Sequence, residues 1–425
     1  MEMMMLDLVI KNGTVLDPGG GRSGRLDVGI QRGRVARLDP EIPAEQAARS
    51  IDASGLLVTP GLIDLHAHVY TGCTFWGVDP DPIAAETGVT TWVDAGSAGA
   101  FTLAGLHDYV AVTADVNVKA FVNISAIGLV AQDFELRNPE LCSADLLTAV
   151  ANRYRDFVVG VKFRAGRSGS AENLLPLERA RQAADRLEMP LMVHISDAPP
   201  NLADVLEIMK PGDILTHAFT GLSMKIVDEN GELLEAARRA WDSGVVIDIG
   251  HGAGSFSWET AEALASKDMW PDTISTDIHQ LSIHGQNRRG SPGGMERRSG
   301  FNKDTDAAGM VFGYEGSGER AFDLLDCMSK FLRLGLSEEE IVAATTIKPA
   351  KAIGLDAEIG SLAAGKRADI ALLRIDEGSF ELFDSQFETR SASKRFSCEM
   401  AIVGGEPMSH FASEPEVPWI VPVGP

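Results

Sequence analysis

Thr59-Pro60-Gly61-Leu62-Ile63-Asp64-Leu65-His66-Ala67-His68 decides how the chain is read. A Pro-Gly turn leads into a short apolar run without helical period, which marks a strand. Side chains two apart along a strand leave the same face, so His66 and His68 project together and are placed to share a metal ion. Two half-buried surface imidazoles would give the same pattern, and the pair needs support from elsewhere in the chain.

Seven further strand candidates follow: Val89 to Ala95, Val118 to Ser125, Phe157 to Phe163, Pro190 to Ile195, Ile214 to Ala218, Val245 to Ile249 and Thr273 to Ile278. Helix-length segments separate them. Ser170 is the expected cap of a helix running from Ala171 to Leu187, and Asn230 to Trp241 and Thr260 to Ala265 carry similar periodicity. Eight alternating units point to an α/β protein with a (β/α)8 TIM barrel, a doubly wound open sheet being the alternative. Before the barrel, Asp7 to Ile10, Thr14 to Leu16, Leu26 to Ile30 and Arg34 to Leu38 are short strands set off by turn signals. Near the other end, Ile359 to Leu362, Ala368 to Leu373 and Met400 to Gly404 are of the same kind. The expected organisation is a small β-sandwich built from both chain ends, residues 1–58 and 355–425, around a metal-binding barrel over residues 59–354.

At 425 residues the chain exceeds the ~250–300 at which a single core usually stops growing, which fits one large and one small domain. The formal net charge of −23 would repel nucleic acid and anionic lipid, so neither is an expected partner. Cys73, Cys142, Cys327 and Cys398 are too scattered for a disulfide framework or a CxxC metal site. The N-terminal stretch has no basic n-region and no long apolar core, and no membrane-length apolar run occurs; a cytoplasmic location is expected.

In such a barrel the active site lies at the C-terminal ends of the strands. His194 ends the fifth strand, His217 the sixth and Asp277 the eighth. The fourth brings Lys162, a cation costly to bury unpaired. It either pairs with an acid or reacts with carbon dioxide to give a carbamate anion that bridges two cations, and spacing does not choose between them. Arg164, two residues on, rises from the same face and suits a substrate carboxylate, against the alternative of a solvated loop arginine. Tyr70 stands in the same relation to His68. His251 and His279 are candidates for contact with substrate or for orienting a ligand from behind. His107, His284 and His410 read as surface or structural, and Cys73 as a buried inert thiol near the pocket, a reactive or metal-touching role being the alternative. From Asn287 to Arg320 the chain is rich in glycine and charge and without period, either a lid or subunit contact or a solvated insertion.

Together the HxH strand with its Pro-Gly lead, the histidines closing strands five and six, the aspartate closing strand eight and the segment Gly360-Ser361-Leu362-Ala363-Ala364-Gly365-Lys366-Arg367-Ala368-Asp369-Ile370 resemble the amidohydrolase superfamily, in its dihydroorotase-like amidohydrolase/deacetylase branch. The resemblance covers nearly the whole chain. It implies two divalent metal ions, zinc foremost, with His66, His68 and Asp277 on one, His194 and His217 on the other, and carboxylated Lys162 bridging. It implies metal-activated attack of water on the carbonyl of a small acylated substrate carrying a carboxylate, with Asp277 as proton shuttle. An N-acyl amino acid or O-acyl hydroxy acid deacylase is the leading expectation (class EC 3.5, with an esterase of class EC 3.1 as the alternative). A cyclic amidohydrolase of the dihydroorotase or hydantoinase kind and a non-catalytic scaffold are the alternatives. Tyr70 occupies the position where dihydroorotases place an arginine, and Val89 to Ala95 lacks the cysteine of D-aminoacylase-like members. A homo-oligomer is expected by analogy.

Overall fold

The computed structural model describes residues 5–167, 169, 173–283, 313–314, 322–386, 388–408 and 421–422. Seven strands form one parallel sheet in chain order: Leu62–Ala67, Val89–Gly99, Asn117–Asn123, Val158–Arg164, Leu191–His194, Ile214–Thr216 and Val246–Ile247. The eighth segment joins both ends of this sheet through single bridges, Thr273 to Asp248 and Ile278 to Ala67. The sheet therefore closes into the expected barrel. Short contact suffices there because Asp277 N donates to His66 O and His68 N to Ile278 O at the C-terminal rim.

Inside the barrel, Ile63, Leu65, Val93, Phe121, Met192 and Ile214 share an apolar cluster with Ala350, Ile353 and Ile359, which arrive from the segment after the last barrel helix. This apolar packing fills the lower interior and leaves the strand ends at the other rim free for a site. Helices cover the outside. One of them, Leu175–Leu187, has Pro176 in its first turn and Glu188 in the left-handed region after its end; the expected cap Ser170 and its neighbours at 171–172 lie outside the described residues. Another, Glu235–Asp242, starts later than its sequence pattern because the Asp228 carboxylate captures the N–H groups of Asn230 and Glu232 in a turn.

The two chain ends build the sheet-rich domain. One sheet orders Arg34–Asp39, Asp27–Gln31, Leu6–Lys11 and Ala47–Asp52; the other orders Glu406–Pro407, Thr389–Val403, Ile370–Phe383, Leu57–Pro60, Thr14–Asp17 and Arg22–Arg25. Leu8, Ile10, Val28, Ile30, Ile370 and Leu372 belong to the apolar cluster shared by the sheets. Two features depart from the sequence reading. Ile359 to Leu362 is no strand, because Gly360 has φ +80 and Ser361 Oγ and Leu362 N turn onto the Asp17 carboxylate. The C-terminal strands are 14 and 15 residues long, more than twice the expected length. They form a hairpin that starts beside Pro60, at the foot of the barrel, and reaches about 45 Å along its flank. Its turn, Asp384 and Ser385, meets Phe256 and Trp258 after strand seven. The insertion at 287–320, apart from Gly313–Tyr314, lies outside the described residues, as do His284 and His410.

Asp27 ties the first sheet together. Burial, the largest single influence, pushes its carboxyl up, but Lys11 Nζ at 2.7 Å and the N–H groups of Ile42 and Asn12 together outweigh it and hold it below the ordinary value. A carboxylate depressed on folding contributes stability above its unfolded pKa of about 3.9 and loses it as pH falls through the folded value. Urea titrations at pH 6 and pH 3 should show Asp27→Asn less stable than wild type by about 1–3 kcal/mol at the higher pH, with the gap narrowing at the lower.

Candidate metal centre

Six side chains from five strand ends meet at the barrel mouth. Asp277 Oδ1 lies 3.3 Å from His66 Nε2 and 3.1 Å from His68 Nε2, and Oδ2 lies 3.8 Å from His217 Nε2. Ligand atoms of His66, His217 and Asp277 all fall within 4.8 Å of one another. The His194 ring stands edge-on to His217 at 4.2 Å, and Lys162 Nζ sits 3.2 Å from His66 Nε2. All the metal-type residues named from strand ends are thus brought together.

Backbone geometry raises them. His217 has φ +66 and Asp277 φ +50, a region that non-glycine residues seldom adopt and that lifts each side chain off its strand. Gly250 stands against both imidazoles, and a Cβ there would lie 3.0 Å from His217 Nδ1 and from His66 Nδ1. At Gly96 a Cβ would lie 2.6 Å from Lys162 Cγ. Each glycine marks a place where backbone must come close to a ligand-bearing side chain.

Behind the imidazoles lies a set of buried polar groups that the sequence reading did not name. His66 Nδ1 bonds Thr216 Oγ1 at 2.7 Å, and Thr216 donates to Asp248, which also accepts from Thr273 and Ser275. His68 Nδ1 bonds Ser97 Oγ at 2.8 Å, and Ser97 N donates to Asp94. His217 Nδ1 donates to Gly250 O. Asp64 accepts from Thr276 and so fastens strand one to strand eight. Their only signal in the sequence is an aspartate inside an otherwise apolar strand, as at Asp64, Asp94 and Asp248, where an unpaired charge would be costly.

Burial sets the charges. It drives the imidazoles of His66 and His194 well below their ordinary pKa, His68 to about 3 and His217 to about 4, so all four are neutral lone-pair donors. It lowers the Lys162 amine to about 7, against the pull of Asp277 and Asp248. Burial likewise raises Asp64 to about 7 and pushes Asp94 and Asp248 up. The Nε2 atoms of His194 and His217 are buried with no hydrogen-bond partner. Such orphans are rare in proteins, and borderline-soft divalent ions are what a cluster of neutral imidazoles and a carboxylate suits.

The substrate-side candidates are placed differently. Tyr70 is buried in the apolar core and donates to Thr102 O at 2.9 Å. Arg164 is buried, with Nη2 on Asp133 Oδ1 at 2.9 Å, Nη1 on Gln132 O and Nε 3.3 Å from Glu135. His251 Nε2 lies 2.9 Å from Lys330 Nζ, and His279 packs edge-on to Trp76. Cys73 is exposed, not the buried thiol expected, because it sits in the loop after strand one, outside the packed core, and all four cysteines are free thiols.

The amidohydrolase family model matches residues 57–408. The chain belongs to the amidohydrolase family. A deacetylase of Enterococcus faecalis is 33% identical over 406 residues, covering 95% of this chain and 99% of its own. Among solved structures, a dihydroorotase superposes with a TM-score of 0.80 at 30% identity, covering 95% of this chain and 97% of that one. An adenine deaminase superposes with 0.79 at 32% identity, covering 95% and 99%. The amidohydrolase is thus a hydrolase of a family whose members are generally metal-dependent, with a His-His-Asp cluster where a metal fits. Among the described residues no helix is long and apolar enough to cross a membrane.

Gly250→Ala would set a Cβ hard against Thr216 Oγ1 and 3.0 Å from His217 Nδ1 and His66 Nδ1, so the supporting hydroxyl and then the rings should shift. Metal analysis after dialysis is expected to show reduced occupancy for this variant while circular dichroism shows the fold retained; full occupancy would mean the close approach is not needed.

Proposed function

We propose that this amidohydrolase is a binuclear metal-dependent deacylase of small acylated acids, N-acyl amino acids or O-acyl hydroxy acids. The observation that carries the reading is the Asp277 carboxylate set against two imidazoles while the Nε2 atoms of His194 and His217 are buried with no hydrogen-bond partner. His66, His68 and Asp277 would hold one ion, His194 and His217 the second, and Lys162, carboxylated on Nζ, would bridge them. Divalent ions at such a site, zinc foremost, supply Lewis acidity and lower the pKa of water. The Asp277 carboxylate would accept a proton from the attacking water and pass it to the departing nitrogen or oxygen. A lysine whose amine is held near neutrality by burial is the form that adds carbon dioxide.

Arg164 is the cation for the substrate's carboxylate, with binding exchanging Asp133 for the incoming acid. Tyr70, turned into the core, gives no cation where dihydroorotases place one, which favours the deacylase over the cyclic-amide reading. The deacetylase relative supports the same choice. A small-molecule substrate, a cytoplasmic location and a homo-oligomeric state complete the proposal, with no nucleic acid or membrane partner, in keeping with the charge of −23.

N-acetyl amino acids, O-acetyl hydroxy acids, hydantoins, dihydroorotate and adenine, tested side by side on metal-replete protein, decide the substrate class. Turnover of acylated acids is expected; turnover of rings alone would overturn the proposal. Purified protein should hold close to two ions per chain, and a chain holding none would favour a scaffold. Lys162→Ala is expected to abolish activity, with partial return on adding short-chain carboxylates, and full activity without them would remove the bridge. Asp277→Asn should keep the fold and lose at least about a hundredfold in kcat if it carries protons.

A further inference from the structure

The loop after strand seven, Gly250-His251-Gly252, borders the metal-type site at two points. Gly250 O accepts from His217 Nδ1, and a Cβ on Gly252 would stand 2.7 Å from Asp277 Oδ2. Both glycines lie in the left-handed region, φ +41 and +54, a shape the local sequence does not hold unaided. The barrel fixes the loop's N–H side, where His251 N donates to Ser275 O and Gly252 N to Thr276 O.

Its other side is fixed from far downstream. Lys330, 1% exposed on the helix Leu324–Leu334, places Nζ 2.9 Å from His251 Nε2 and 2.5 Å from Asp326 Oδ2. An ammonium only donates, so Nε2 accepts, and Nδ1 carries the proton that faces Gly252 O at 3.0 Å. The imidazole is also stacked on Phe256 and packed on Phe322. Ser385, at the turn of the long C-terminal hairpin, sets Oγ 2.9 Å from Gly252 O and 3.3 Å from His251 O, and accepts from Phe256 N at 3.0 Å.

We propose that Lys330 and Ser385 are positioning residues for the metal centre, holding the Gly250 carbonyl on His217 and the flank of Asp277 through the His251 loop. The C-terminal hairpin and the preceding helix are then working parts of the site, and His251 serves the loop instead of the substrate. This rests on the reading of His217 and Asp277 as metal ligands.

The test is the rate at which zinc-loaded, full-length protein gives up zinc to a chelator. Ser385→Ala and Lys330→Met should each release zinc roughly tenfold faster than wild type, the usual cost of losing support behind a ligand. Ser385→Thr, which keeps the hydroxyl, should restore the slow rate. Arg390→Gln breaks the same hairpin's contact with Glu262; it should lower the melting temperature and leave zinc release unchanged. Wild-type release from Ser385→Ala, or equally fast release from Arg390→Gln, overturns the positioning role alone. If Lys330→Met does not fold, the serine variants decide. A wild type that takes up no zinc overturns the ligand reading and this inference with it.

Discussion

Asp277 and four neutral imidazoles share a buried volume at the barrel mouth, and the rest of the molecule is arranged around the cost of keeping them there. A carboxylate this close to His66 and His68, in a place that burial keeps the rings uncharged, has no ordinary ion pair to settle into. Two imidazole nitrogens are left with no hydrogen bond at all. A fold tolerates that arrangement only if the surrounding structure over-determines it, and the barrel does so from beneath while the loops do so from the side.

The support is layered. Directly behind the rings, hydroxyls of Thr216 and Ser97 fix which imidazole nitrogen faces the site, and the buried acids Asp248 and Asp94 fix the hydroxyls and the adjoining backbone. Asp64 closes the barrel by gripping Thr276, next to Asp277. Farther out, the apolar plug of Ile63, Leu65, Phe121 and Met192 makes the strands a rigid platform. The sheet-rich domain is anchored at the foot through Pro60 and sends its C-terminal hairpin to the rim, so the far end of the chain bears on the same edge as the barrel does.

Much of this was legible in the residue order. The HxH pair, the lone histidines after apolar runs and the aspartate after Ile274-Ser275-Thr276 all stand at strand ends, and a barrel puts its strand ends together. Other features were not legible for identifiable reasons. Ser97 and Thr216 look like any strand hydroxyl until the facing imidazole is known. Ile359 to Leu362 has strand composition, yet Asp17, far away in sequence, bends it into a turn. The hairpin's outer half alternates weakly and is largely exposed, so its period carries little hydrophobic signal.

The sequence by itself determined the alternation of strands and helices, the chemistry available at each strand end and the pairing of the termini, because hydrophobic period and residue type are local properties. Only the tertiary structure decided which groups became neighbours: Arg164 meeting Asp133 and Glu135, Tyr70 turning into the core, His251 meeting Lys330. The reason is physical: a side chain's charge state, its free lone pair and its reach depend on burial and on partners brought from distant segments, and no stretch of chain specifies those alone.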